Sequence, residues 1–161
     1  MATAEQLEAL REVFICFSQA VESNGYRSYL RQTLEALLNA AHDKGVGGNT
    51  CLGALQTLKV GLQHELATSP IFFTRFYRFT FFACCERGKK VIAARTAVLA
   101  WQMLLADKFV LLDAWCSFVL AQSRTISEDT WRQVLDFAKY ANTDIELHDY
   151  DPESCWPVRK G

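Results

Sequence analysis

The sequence has few of the residues that interrupt regular structure. Its 161 residues include only 3 prolines and 8 glycines, and 50% of them are hydrophobic. Such a chain has enough apolar side-chain area to offset the entropy lost on ordering, which excludes a disordered, collagen-like or linker-dominated protein. The length suits one compact unit. We therefore predict a single domain over residues 1–161.

The sequence also has almost no net charge. It contains 17 basic and 18 acidic residues, for a formal net charge of -1 at pH 7. A global attraction to nucleic acid or to an anionic membrane is excluded, and we expect the chain to bind neither. Arginines interrupt the longest apolar stretches, and no basic region followed by an apolar one opens the chain. We expect an intracellular protein without a membrane span or secretory signal.

Motifs that carry covalent or metal chemistry are missing as well. The 3 histidines lie far apart, without HExxH spacing, and there is no CxxC pair and no GxGxxG or GxxxxGK[ST] loop. The 6 cysteines are Cys16, Cys51, Cys84, Cys85, Cys116 and Cys155. In a helical chain without a signal, we interpret them as reduced core residues rather than as disulfides. The sequence predicts no metal, no cofactor and no active site. An enzyme with an unrecognised cysteine nucleophile stays a third possible function, after the two that are described below.

What the sequence does have is apolar residues at intervals of three and four, the period of amphipathic helices. About seven helices and no strand are predicted, over residues 5–23, 26–42, 52–67, 72–86, 91–106, 108–122 and 128–140. Residues 72–86 are apolar nearly all round, so two strands are an alternative, but the length favours a central helix. Ser69 and Pro70 are typical of a helix start, and Thr125 to Glu128 form a capping box by type, with Ser127 as a competing cap. The predicted fold class is all-α.

The helical pattern ends after Asn142. The following segment, from Thr143 to Pro157, is acidic and contains Tyr150 and Trp156, whose large rings are normally anchored against apolar surface. We predict an ordered acidic C-terminal loop.

Two local concentrations of charge stand out. A basic stretch consists of Arg75, Arg78, Arg87, Lys89, Lys90 and Arg95. It indicates either the charged rim of a buried helix, which we prefer, or a nucleic-acid groove. Acidic residues lie at the start of the last predicted helix and in the loop after it. They indicate either helix capping and solubility or a surface that docks a basic partner.

The second half of the chain resembles the defective-in-cullin-neddylation family, whose shared unit is the potentiating-neddylation domain. The resemblance rests on segments in the family's order: Phe76 to Phe81, Gly88-Lys89-Lys90, Ala100-Trp101-Gln102, Phe109 to Cys116, Ile126 to Trp131 and Tyr150 to Val158. It implies a family-like core over residues 69–158, preceded by divergent N-terminal helices over residues 1–68. These helices resemble the plant anti-auxin-responsive branch, and no calcium loop occurs.

The resemblance implies a scaffold-type co-ligase that performs no covalent chemistry itself. Such a protein binds the winged-helix end of a cullin and the N-acetylated neddylation conjugating enzyme together, and so promotes cullin neddylation. We expect it to be a monomer of the nucleus and cytoplasm.

The resemblance also assigns site residues. On the cullin side, Asp129 takes the first position of an acidic patch and Cys155 stands where the family has alanine, accompanied by Glu128, Asp149 and Asp151. The patch's last acid is expected after Val158, where this chain reads Arg159-Lys160-Gly161. An alternative function is therefore a helical binding module that has lost activation and sequesters one partner.

For the conjugating enzyme, the family has a pocket that receives an acetylated methionine. Ala83, Ala100 and Met103 match positions that line it. Ordinary helix packing is the alternative interpretation of these three residues.

Overall fold

The computed structural model describes residues 3–22, 28–45, 51–86 and 88–143. This part of the chain is helical apart from two short strands and the connecting turns, which confirms the all-α fold class. Its elements are α1 (Ala4–Glu22), α2 (Ser28–Asp43), α3 (Cys51–Gly61), α4 (Gln63–Thr68), α5 (Pro70–Cys84), β1 (Val91–Ile92), α6 (Ala94–Leu105), α7 (Leu112–Gln122), β2 (Ile126–Ser127) and α8 (Glu128–Thr143). None of these helices is long and apolar enough to cross a membrane. The predicted acidic loop lies outside the described residues.

The chain divides into two compact units, residues 1–89 and residues 90–161. The predicted single domain, with its internal boundary between residues 68 and 69, stays a prediction.

In the first unit, a side-chain hydrogen bond links the start of α1 to the end of α2. Thr3 and Gln6 form a capping box, because the Gln6 N–H donates to Thr3 Oγ1 at 3.1 Å and the Thr3 N–H donates to Gln6 Oε1 at 3.0 Å. The Gln6 side chain also donates from Nε2 to the Lys44 carbonyl at 2.8 Å, just after α2 ends. Gly45 follows with φ of 89°, a backbone conformation that ends a helix and favours glycine.

The predicted helix over residues 52–67 is two helices, which is why the described residues contain eight rather than about seven. Leu62 leaves helical geometry, with φ of -108° and ψ of 16°, and its N–H is shared between the carbonyls of Leu58 and Lys59, both at 3.1 Å. Gly61, a weak helix former, precedes the break. Leu62 itself fits the apolar period, so the apolar pattern of the sequence continues across the break between the two helices.

Helix α5 is the buried helix of the first unit, and the two-strand alternative for its sequence is wrong. Its start is the predicted one, since the Ser69 hydroxyl accepts from the Phe72 N–H at 3.2 Å and Pro70 occupies the first turn. Phe76 and Phe79 are fully buried. Phe14 of α1 lies against both rings, with centroid distances of 5.6 and 5.0 Å.

The second unit begins with a strand where the sequence predicted a helix. Residues 91–92 pair antiparallel with residues 126–127, in the register Val91 with Ser127 and Ile92 with Ile126. The predicted helix over residues 91–106 therefore begins only at Ala94, because the β-branched residues before it pair across the chain. The predicted helix over residues 108–122 begins at Leu112, after a turn in which the buried Phe109 packs.

Three tryptophans form the centre of the second unit. Trp101 of α6 and Trp131 of α8 are fully buried and stacked, with centroids 5.2 Å apart and an interplanar angle of 15°. Trp115 of α7 contacts Trp101 edge-on at 5.6 Å. Aromatic pairs at these distances add to the stability from burial, so the three helices are firmly joined.

Candidate partner-docking site at the start of helix α8

Strand β2 fixes where α8 begins. Its pairing with β1 holds Ile126, which is 7% exposed, and places Ser127 directly before the first helical residue. The Ser127 hydroxyl accepts from the Thr130 N–H at 3.2 Å, and the two hydroxyl oxygens also lie 3.2 Å apart. Ser127, the competing cap in the sequence, is thus the cap that forms.

Two exposed carboxylates, those of Glu128 and Asp129, occupy the first turn of α8. Negative charge is favourable there, because the helix dipole is positive at its N-terminus. The Asp129 carboxylate is also oriented, since Gln133 Nε2 donates to its Oδ2 at 2.9 Å. Gln133 is not among the residues predicted from the sequence, although its spacing of four residues from Asp129 within a helix could have indicated it.

A buried aromatic pair anchors α8 close to these carboxylates in the chain. Trp131, two residues after Asp129, has no exposed surface and stacks on Trp101. Val134, Leu135 and Ala138 continue the buried face of α8. A partner that contacts Asp129 therefore meets a carboxylate on a fixed backbone, which lowers the entropy lost on binding.

The structure brings together two of the five predicted cullin-contacting residues. Glu128 and Asp129 are neighbours in the first turn of α8. Asp149, Asp151 and Cys155 lie outside the described residues, so their part in the acidic patch stays a prediction.

The three predicted pocket positions for the conjugating enzyme lie in helices. Ala83 belongs to α5 in the first unit and is fully buried. Ala100 and Met103 lie three residues apart in α6 of the second unit, so they share one side of that helix. Ala100 is fully buried and Met103 is half-buried. Their assignment to a binding pocket stays a prediction.

Five of the cysteines are buried free thiols, as predicted for core residues: Cys16, Cys51, Cys84, Cys85 and Cys116. Burial, with a smaller contribution from the Asp113 carboxylate, raises the pKa of Cys116 to about 11. The pKa of Cys84 is also well above its ordinary value, first because of a hydrogen bond with the Cys51 thiol and then because of burial. Such thiols stay protonated near pH 7 and are poor nucleophiles. Among the described residues, no group of three or more potential metal ligands converges.

These features describe a helical protein that presents two exposed carboxylates at the start of one helix. Comparison with known proteins gives the family. Residues 54–159 match the family described as "Cullin binding". The chain belongs to this family, and the resemblance drawn from the sequence is confirmed.

Relatives in plants and fungi carry matching names. The chain is 47% identical over 87 residues to "Defective in cullin neddylation protein AAR3" of Arabidopsis thaliana, covering 53% of this chain and 29% of that protein. It is 34% identical over 113 residues to "Defective in cullin neddylation protein 1" of Yarrowia lipolytica, covering 70% and 47%. The protein of that name from Saccharomyces cerevisiae is 30% identical over 111 residues, covering 64% and 40%. The chain thus spans less than half the length of these curated relatives.

Proposed function

We propose that this chain is a non-catalytic scaffold that binds a cullin and the neddylation conjugating enzyme and promotes cullin neddylation. The observation that carries the proposal is the cullin-binding family match, which includes the anchored carboxylates of α8. Holding two macromolecules in one geometry raises their effective concentration and orients the reacting groups. Such a scaffold can act in the nucleus and the cytoplasm alike.

The cullin side of the proposal depends on Asp129. Its carboxylate is exposed, so it is accessible to a basic side chain of the cullin's winged-helix end. Gln133 and the capped backbone hold it in one orientation. Complementary charge of this kind guides association and fixes the register of a complex.

The conjugating-enzyme side is proposed from Ala83, Ala100 and Met103. This assignment rests on the family resemblance, and a half-buried methionine such as Met103 can adapt to an irregular apolar shape. The raised pKa values of Cys84 and Cys116 support a scaffold over an enzyme with a cysteine nucleophile, because positioning needs no thiolate.

The test is a reconstituted cullin neddylation time course with and without the full chain. We expect the wild type to accelerate modification, and Asp129→Arg to weaken cullin binding by about 1 to 3 kcal/mol, because it reverses the charge at the docking surface. Asp136→Arg is the matched control, since Asp136 is an exposed acid two turns further along α8. Circular dichroism should show equal helix content in both variants.

The outcomes separate the alternatives. Equal cullin binding by Asp129→Arg and Asp136→Arg in low-salt calorimetry would show that the first turn of α8 is not the docking surface. A wild-type chain that binds a cullin but slows its modification would support the sequestering module instead. A chain that neither binds nor accelerates would refute the proposed function.

A further inference from the structure

A pocket of about 240 Å³ lies beside the first turn of α8 in the second unit. Helix α7 contributes Trp115 and Phe118 to it, strand β2 contributes Ile126 and Ser127, and α8 contributes Thr130. Arg124, in the turn between α7 and β2, also lines it. Neither the family match nor any motif of the sequence assigns a role to this pocket.

The size of the pocket suits one bulky side chain. A cavity of about 150 Å³ lined by apolar groups takes up benzene. Pockets for drug-sized ligands begin at about 300 Å³. The volume here lies between the two, which favours a single aromatic or large aliphatic side chain that a larger molecule carries.

The floor of the pocket is rigid and apolar. Trp115, which is 8% exposed, stacks on the half-buried Phe118 with centroids 5.8 Å apart and an interplanar angle of 29°, and Trp101 contacts Trp115 edge-on. A floor that is already ordered loses little entropy when it is covered. The Trp115 Nε1–H is buried and has no acceptor among the residues that the structure describes. The indole N–H of Trp115 is therefore a local probe of the residues that line this pocket.

The polar residues that line the pocket indicate which molecule would supply the bulky side chain. Ser127 and Thr130 line the pocket, and between them in the chain stand Glu128 and Asp129, the carboxylates of the proposed cullin contact. The pocket wall and these carboxylates thus belong to one helical turn. On another side, Arg124 offers only hydrogen-bond donors, which suit a backbone carbonyl or an acid.

We propose that this pocket receives a bulky apolar side chain of the cullin segment whose basic neighbour binds Asp129. The inference rests on the proposed function and deepens it, because it adds an apolar anchor to a contact that charge alone would define. Fully buried anchors of this kind usually dominate binding energy, whereas exposed charges mainly affect the association rate. The anchor would therefore set the lifetime of the complex.

The variant that tests the proposal is Thr125→Phe. Thr125 is exposed and lines the pocket, so an added ring can cover the opening without entering the core. Ser117→Phe is the matched control, because it adds the same ring at an exposed position of α7 that does not line the pocket. By calorimetry with a cullin winged-helix domain, we expect Thr125→Phe to raise Kd at least tenfold, and Ser117→Phe and Thr125→Ser to stay within twofold.

A second measurement uses a free probe and does not depend on the cullin. N-acetyl-phenylalanine amide, titrated into the nitrogen-15-labelled full chain, should shift the indole N–H resonance of Trp115 in a saturable way. N-acetyl-glycine amide, which lacks the ring, should not. The resonance is assigned by its loss in Trp115→Phe, and Thr125→Phe should abolish the shift.

The results separate this inference from the function on which it rests. If Asp129→Arg weakens cullin binding but Thr125→Phe does not, the pocket lies outside the interface and the inference is overturned, while the proposed function stands. Absence of a saturable shift of Trp115 with the phenylalanine probe also overturns it. If the wild type binds no cullin domain, the proposed function fails, and the shared interface fails with it.

Discussion

Replacing the Ser127 cap by alanine tests the local stability of the first turn of α8. The substitution removes the oxygen that accepts from the Thr130 N–H and the partner of the Thr130 hydroxyl. Loss of a helix cap costs about 0.5 to 2 kcal/mol. Because Ser127 is only half-buried, water can reach part of the exposed backbone, and we expect a loss of about 1 kcal/mol.

The assay is urea unfolding followed by tryptophan fluorescence. Trp101, Trp115 and Trp131 all lie in the second unit, so they report on the unit that contains Ser127. With a urea dependence of about 2 kcal/mol per molar, a loss of about 1 kcal/mol lowers the midpoint by about 0.5 M. Ser127→Thr keeps the hydroxyl and should restore most of the midpoint.

The control is Ser117→Ala, which removes a hydroxyl from an exposed position within α7. Its midpoint should equal or slightly exceed that of the wild type, because alanine is the better helix former. If Ser127→Ala and Ser117→Ala unfold at the same urea concentration, the hydroxyl of Ser127 does not stabilise α8 and does not hold the backbone of Asp129 in place.

Helix α7 provides two further tests. Ser123 ends it with φ of 53°, so Ser123→Gly should relieve strain, lose the exposed hydroxyl bond to Leu120 and stabilise the chain by about 0.5 kcal/mol. Calorimetry should show Tm higher by about 1 to 2 °C, and a lower Tm would contradict the assignment of strain. Cys116 has a pKa of about 11 when folded against an ordinary 9.0, so unfolding releases a proton and stability should fall as pH rises from about 9 towards 11. Across this pH range, the urea midpoint should fall less in Cys116→Ala than in the wild type. An equal fall in both proteins would show that the ionisation of this thiol is not coupled to folding.

Local pattern predicted most of the helices, because an apolar period and a cap act over a few residues. The Ser69-Pro70 start of α5 and the Ser127 cap were both readable from the sequence. The break at Leu62 was not, because that side chain continues the apolar period while its backbone leaves the helix. Likewise, the strand at Val91 exists only through a partner more than thirty residues away.

The candidate site could likewise be predicted only in part from the sequence. Asp129 was found through the family resemblance, and its place in the first turn of α8 followed from the helical pattern. Its orientation depends on Gln133, whose contact needed the structure to be recognised. The neighbouring pocket could not be predicted, because α7, β1, β2 and α8 contribute to it and only their packing creates a cavity.

The aromatic core of the first unit has a consequence for how the protein is made. Phe14 and Phe17 of α1 pack on α5, with centroids 5.0 and 5.7 Å from the Phe79 ring. At about 5 to 20 residues per second, the ribosome completes α1 roughly 3 to 11 s before it reaches Phe79. The apolar α5 therefore meets a nascent chain that already carries its aromatic partners. This order of synthesis shortens the time for which the aromatic side chains of α5 are uncovered.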